Sequence, residues 1–177
     1  MRGTQSRGGG YIGAFFTSLF VPGRLRRGTN AQQAADDAYR TLQYEPPGRI
    51  HTGESYADAP GRAAVAWVRA HAAQFHYSPE RVGIMGFSAG GTVTMGVTYE
   101  HDAASRPDFS APVYPYVAKL LPVPADAAPL FLVAASDDQL GLAPTSSAVC
   151  TDWLKAGKKA ELHMYEKGGH GFGMREQ

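Results

Sequence analysis

Residues 81–91 read Arg81-Val82-Gly83-Ile84-Met85-Gly86-Phe87-Ser88-Ala89-Gly90-Gly91. The first seven are a short apolar run of strand length bounded by turn residues, the pattern of a strand covered on both faces. From Ser88 to about Glu100 the chain resumes as a helix whose beginning is rich in small residues. Gly86-Phe87-Ser88-Ala89-Gly90 therefore fits G-x-S-x-G in a strand–turn–helix context, which is what a nucleophile elbow requires. A serine on so tight a turn excludes bulky side chains two residues before and two after it. The same turn puts the Ala89 N–H at a helix N-terminus, where it can donate to a developing oxyanion. The bland alternative is a Gly-rich turn that merely packs tightly or holds a phosphate. A phosphate loop would want a lysine near the glycines, and none is there.

Strands and helices alternate outward from this stretch. Upstream, Pro60 and Gly61 open a segment in which Val65, Val68, Ala72 and Phe75 recur at helical spacing, and Ser78-Pro79 ends it. Asp58 reads as a charge or cap at that helix start. Downstream, Phe109 to Tyr116 and Leu130 to Ala135 are apolar strand candidates. Pro144 to Ala156 reads as helix with Gly157 as its stop, and Ala160 to Tyr165 alternates as a last strand. Such alternation predicts an α/β fold with a mostly parallel sheet flanked by helices. The reading is sharp over 58–174 and poor over 1–57, where only Ala31 to Tyr44 looks helical. With 177 residues, no internal repeat and no linker, a single domain covering 1–177 is expected.

Two further constellations stand at strand ends. Ser136-Asp137-Asp138 follows Leu130 to Ala135, where a carboxylate can orient an imidazole and balance its charge. Adjacent residues leaving a strand point in opposite directions, so only one of the two aspartates can serve; the bland alternative is a pair of solvated turn residues. Gly168-Gly169-His170-Gly171-Phe172-Gly173 follows the last strand, and glycines on both sides leave the His170 imidazole in a tight or mobile turn. Serine, acid and histidine in that order along the chain are the arrangement of α/β hydrolases.

Composition bounds the alternatives. A formal charge of +1 and a pI near 7.9 provide no electrostatic footprint for nucleic acid or an anionic membrane. No apolar run approaches the roughly 20 residues of a membrane span. The single cysteine, Cys150, rules out a disulfide framework and a cysteine-rich metal site, and reads as a small buried hydrophobe. His51, His71, His76, His101 and His163 lack metal-ligand spacing with carboxylates, so structural or surface roles are expected and neither a metal nor a cofactor is called for. Trp67 and Trp153 read as core or rim.

The stretch Ser78 to Gly91 resembles the nucleophile region of α/β-hydrolase-fold esterases of the acetyl-xylan-esterase (carbohydrate-esterase) and dienelactone-hydrolase-like kind. Arg106-Pro107-Asp108-Phe109 with Val113-Tyr114-Pro115 is similar to the approach to their next strand. Pro129 to Val133 with Asp137-Asp138 resembles their acid-bearing strand, and Ala160 to Tyr165 with Gly168 to Gly173 their terminal strand and histidine loop. The resemblance covers about residues 58–174. It implies Ser88 as nucleophile, His170 as base and Asp138, the last aspartate before the loop, as acid. It also implies a serine hydrolase of carboxylic esters with short acyl groups, acetyl esters of carbohydrates among them, acting on a small molecule. The second oxyanion donor would come from a glycine-rich loop, for which Gly8-Gly9-Gly10-Tyr11 stands, with the N–H of Gly10 or of Tyr11 donating beside Ala89.

Against the family pattern, the early strands and a closing helix are not found, so a shortened member is expected, whose exposed sheet surface a second copy would cover. Arg2 and Arg7 before Tyr11 to Val21 also outline a secretory signal, interrupted by Thr17 and Ser18. Cytoplasm is preferred to secretion on that ground. No cap insertion is visible between Tyr116 and Pro129, so an open site is expected. The alternatives are a peptidase of the prolyl-oligopeptidase type and a non-catalytic hydrolase-fold binding module.

Overall fold

The computed structural model describes the backbone of Thr17–Phe20 and residues 58–173. The expected helix from Ala31 to Tyr44, the Gly8 to Tyr11 loop and the Asp58 side chain lie outside the described residues. In chain order the elements are β1 (Thr17–Phe20), α1 (Asp58–Ala70), β2 (Gly83–Phe87), α2 (Ala89–Tyr99), β3 (Ser110–Val113), β4 (Leu130–Ala135), α3 (Ala143–Lys155) and β5 (Ala160–Tyr165). The sheet runs β1-β2-β3-β4-β5, with β2 to β5 parallel and β1 antiparallel to β2. This is the α/β architecture expected.

β1 was not expected. Thr17 pairs with Gly86 and Phe20 with Gly83, so four residues of the stretch that outlines a signal sequence are a strand of the sheet. Four residues are too few for periodicity to register, and what makes them a strand is the backbone of β2 alongside.

Register shows how the helices are distributed. Ile84, Ser110, Leu130 and Ala160 are successive partners across the sheet and share one face. On that face Leu130 and Leu132 pack with Met95 and Tyr99 of α2 and with Val149, Cys150 and Trp153 of α3. Ile84 and Val82 pack with Val65 and Val68 of α1 and Val97 of α2. All three described helices therefore cover the same face, with α2 in the middle. Trp153, fully buried, is the largest side chain of this core; its Nε1–H donates to the Ala128 carbonyl at 3.1 Å and its ring meets Tyr99 edge-on. The opposite face carries Phe131, His163 and Tyr165, all exposed. Among the described residues no helix lies against it.

α2 forms in spite of its composition. Ala-Gly-Gly-Thr-Val-Thr-Met-Gly-Val-Thr-Tyr is poor in strong helix formers, and packing decides its conformation. Thr94 and Thr98 are buried without cost in unpaired hydroxyls. Each bonds the carbonyl four residues back, at 2.9 and 2.6 Å, and Thr98 also reaches Ser110 Oγ at 2.7 Å.

The edge of the sheet where β2 and β3 begin is tied by one guanidinium. Arg69, at the end of α1, donates to the carbonyls of Pro79, Ala104 and Arg106 and to Asp108 Oδ2, all within 2.9 Å; the same Asp108 oxygen accepts the Val82 N–H at 2.8 Å. The functional residues stand at the other edge.

Candidate active site

Four parallel strands end on one rim, and each is followed by a residue of the candidate site: Ser88 after β2, Tyr114 after β3, Asp137 and Asp138 after β4, His170 after β5. That is the rim where open α/β sheets bind ligands. Ser88 and His170 are 82 positions apart in sequence and are neighbours only because β2 and β5 point the same way.

Ser88 occupies the turn at φ 54°, ψ −116°, backbone that an L-residue adopts only under constraint. The constraint is visible in its neighbours. A Cβ on Gly86 would lie 2.1 Å from the Gly90 carbonyl oxygen, and one on Gly91 2.9 Å from the Val113 oxygen and 3.2 Å from the Gly86 oxygen. The start of α2 is thus wedged between the ends of β2 and β3 at a separation only glycine allows. The Ser88 N–H is tied to the Val113 carbonyl at 3.0 Å, and the Ser88 carbonyl accepts the Thr92 N–H at 2.9 Å. Ala89 is the first residue of α2, directly after Ser88, so its N–H belongs to the orphan donors of a helix N-terminus.

Ser88 Oγ lies 2.7 Å from His170 Nε2, and His170 Nδ1 lies 2.9 Å from Asp138 Oδ2. A carboxylate only accepts, so Nδ1 of the neutral ring carries the proton and the Nε2 lone pair faces the Ser88 hydroxyl. The Asp138 side chain is wholly buried and that of His170 is partly exposed, at 15%. The other Asp138 oxygen accepts the Leu140 N–H at 2.8 Å, which leaves the buried carboxylate with both oxygens bonded. Asp137 points the other way, into solvent, where its Oδ1 accepts the Gly169 N–H at 2.7 Å. That hydrogen bond holds the Asp137 carboxyl below the usual carboxylate range. The aspartate question left open by strand alternation is thereby answered in the geometry: 138 faces the imidazole, 137 the loop backbone.

The structure brings together Ser88, Ala89, Asp138 and His170. Gly10 and Tyr11 lie outside the described residues. Three residues that sequence reasoning did not single out also meet here. Tyr114, at φ 37°, sets its ring edge-on against His170, with centroids 5.0 Å apart, and against Phe172 at 5.1 Å. Gln139 Oε1 accepts the His170 N–H at 2.9 Å. The only signals in the sequence were an aromatic at a strand end and a polar residue after two aspartates, neither distinctive. Among the described residues no group of three or more His, Cys, Asp or Glu could hold a metal ion, and no helix is long and apolar enough to cross a membrane.

Solved structures with the same fold include the acetyl ester-xyloside bifunctional hydrolase of Caldicellulosiruptor lactoaceticus, with 23% identity and a TM-score of 0.62 over 72% of this chain and 62% of that one. The α/β hydrolase MGS-M1 from a Medee basin deep-sea metagenome library matches at 20% identity and a TM-score of 0.61, over 78% and 62%. Esterase 2 of the planctomycete Thermogutta terrifontis matches at 20% and 0.59, over 70% and 57%. The matches thus cover about three-fifths of the length of those proteins. No curated protein matches the chain. The family model for the dienelactone hydrolase family matches residues 18–177, from within β1 to the last residue, and the chain belongs to that family.

Proposed function

We propose that this protein is a serine hydrolase that cleaves carboxylic esters with short acyl groups, acetyl esters of carbohydrates among them, through an acyl-enzyme on Ser88. The observation that carries this reading is the hydrogen-bonded line from Ser88 Oγ through His170 to buried Asp138, at 2.7 and 2.9 Å. His170 Nε2 takes the Ser88 proton as Oγ attacks the ester carbonyl carbon. The carbonyl oxygen becomes an oxyanion that the Ala89 N–H stabilises, with Gly10 or Tyr11 supplying the second donor. Collapse of the tetrahedral species breaks the ester C–O bond, and the leaving alkoxide takes the proton from Nε2. Water then loses a proton to Nε2 and attacks the acyl carbon; the acid leaves and Ser88 recovers its proton. Asp138 stays ionised throughout and balances the imidazolium.

The preference for small acyl groups is supported by the surroundings. Tyr114 stands beside His170 and Phe172 beside Tyr114, and 114–129 carries neither helix nor strand, so no cap element rises from it. Membership of a hydrolase family and likeness to esterase folds support ester chemistry. Likeness to an acetyl ester-xyloside hydrolase supports the acetyl choice.

The test is turnover of p-nitrophenyl acetate by the parent and by Ser88→Ala, beside a proline-containing amide. The expected result is ester hydrolysis by the parent and a loss of several orders of magnitude in the variant, since removing such a nucleophile costs on the order of 10⁶ in kcat. Equal rates in the two proteins would remove Ser88 from the reaction, and amide cleavage exceeding ester cleavage would favour a peptidase.

A further inference from the structure

We infer that Asp137 and Gln139 are positioning residues for His170, which together with Asp138 make three consecutive side chains after β4 a clamp on the histidine loop. The inference rests on the proposed role of His170 as base and adds the means by which the imidazole is held.

The loop has little stiffness of its own. Gly169, Gly171 and Gly173 all take positive φ, at 64°, 81° and 42°, so His170 sits between two left-handed residues in a segment rich in the most flexible residue type. Around Gly171 nothing lies within 4 Å of where a Cβ would stand; backbone conformation, not crowding, calls for glycine there. Such a loop needs fixed points from elsewhere to hold a ring to the few tenths of an ångström that proton transfer demands.

Those points come from one short stretch. Asp137 Oδ1 accepts the Gly169 N–H at 2.7 Å, Gln139 Oε1 accepts the His170 N–H at 2.9 Å, and Asp138 Oδ2 accepts from the His170 ring at 2.9 Å. Two successive main-chain amides and the side chain of a single residue are therefore gripped by three successive side chains. The gripping stretch is itself anchored: the Ser136 N–H donates to the Tyr165 carbonyl at 2.8 Å, and the Gly141 N–H to the Asp138 carbonyl at 2.9 Å. At Gly169 a Cβ would meet Gln139 Oε1 only in ordinary contact, at 3.4 Å, so there too it is the positive φ that calls for glycine. Asp137 and Gln139 are both exposed and belong to neither apolar cluster. Their bonds to the loop are what the structure gives them to do.

The consequence is a specific pattern of damage. Removing both acceptors, with Asp137→Ala and Gln139→Ala, lets the imidazole wander while leaving core and substrate contacts in place. The expected effect is a drop in kcat of roughly 10- to 100-fold with KM changed less than about threefold, against the 10²-fold that a 1 Å misplacement costs. Asp137→Asn keeps an amide oxygen facing Gly169 and should retain most of the activity; Gln139→Glu likewise keeps an acceptor.

The experiment measures kcat and KM on p-nitrophenyl acetate for the parent, the double alanine variant and Asp137→Asn. Beside it, proton NMR follows the His170 Nδ1–H signal and its exchange with water. Lower kcat with unchanged KM, a broadened and faster-exchanging signal in the double variant, and rescue by Asp137→Asn support the clamp. An active parent whose double variant matches it in kcat and in the NMR signal overturns the clamp and leaves the proposed hydrolase standing. A parent without esterase activity overturns the hydrolase reading, and the NMR comparison then decides the clamp alone: an unchanged signal rejects it.

Discussion

Gly86 shows how narrowly the candidate site is built, because a single added carbon would meet the Gly90 carbonyl oxygen at 2.1 Å. That neighbour is backbone at the start of α2 and cannot swing aside. Gly86→Ala should therefore displace Ser88, abolish turnover and destabilise the fold by about 1–3 kcal/mol, as overpacking does; urea unfolding and ester hydrolysis measure the two effects. The two aspartates should separate cleanly. Asp138→Asn removes the charge that balances the imidazolium and, with its amide oxygen held by the Leu140 N–H, turns an N–H donor toward His170 Nδ1. It should lower kcat by about 10⁴, whereas Asp137→Asn should retain most of the parent's activity. Reversal of that order in steady-state kinetics would exchange the two assignments. At this scale the residues legible in the sequence were those whose chemistry lies in a local pattern: Ser88 between spaced glycines, His170 within a glycine run, an acid at a strand end. Strand alternation limited the acid to one of two, and family resemblance pointed to 138. Tyr114 and Gln139 escaped because their contacts with His170 are created by the pairing of β3, β4 and β5, which no short window of sequence contains.

Among the elements, α3 carries the largest fully buried side chain. Trp153→Ala would empty the largest buried site and orphan the Ala128 carbonyl, for an expected loss of about 3–5 kcal/mol in urea unfolding. Next to it, Tyr99 has a phenol pushed up to about 12 by burial, with the Asp152 charge adding to the effect. The folded state thus keeps Tyr99 neutral where the unfolded chain ionises it near 10. The stability this neutral group lends is intact below pH 10 and is lost as pH rises from there toward 12. Urea midpoints at pH 9 and 11 should fall less for Tyr99→Phe than for the parent; an equal fall would mean that other groups govern the alkaline loss. The strands β2 to β5 and helices α1 and α3 were legible as buried runs or amphipathic repeats bounded by glycine or proline, although α1 ends at Ala70 and leaves Ala72 and Phe75 of its expected repeat in turns. α2 was legible only from the small residues that follow Ser88. β1 was not, since its four residues owe their conformation to β2.

For the molecule as a whole, the candidate site and the main ionic tie stand at opposite edges of the sheet. Ser88, Asp138 and His170 stand where the parallel strands end, and the Arg69 network stands where β2 and β3 begin. Arg69→Met leaves three carbonyls and a half-buried carboxylate short of a donor and should cost about 2–3 kcal/mol, with kcat unchanged at temperatures where the protein remains folded. A large fall in kcat in folded protein would mean that the two edges are coupled. The parallel order itself was legible from alternation of strands and helices. The one-sided placement of α1, α2 and α3 was not, because it depends on which face each crossover takes.

The central claim is that Ser88 is an activated nucleophile only because His170 and Asp138 converge on it. The most direct measurement is covalent labelling by a fluorophosphonate, with the modified residue located by peptide mass spectrometry. Stoichiometric labelling at Ser88 in the parent, lost in both Ser88→Ala and His170→Ala, is the result expected. Labelling elsewhere, or equally fast labelling of Ser88 without His170, would contradict it.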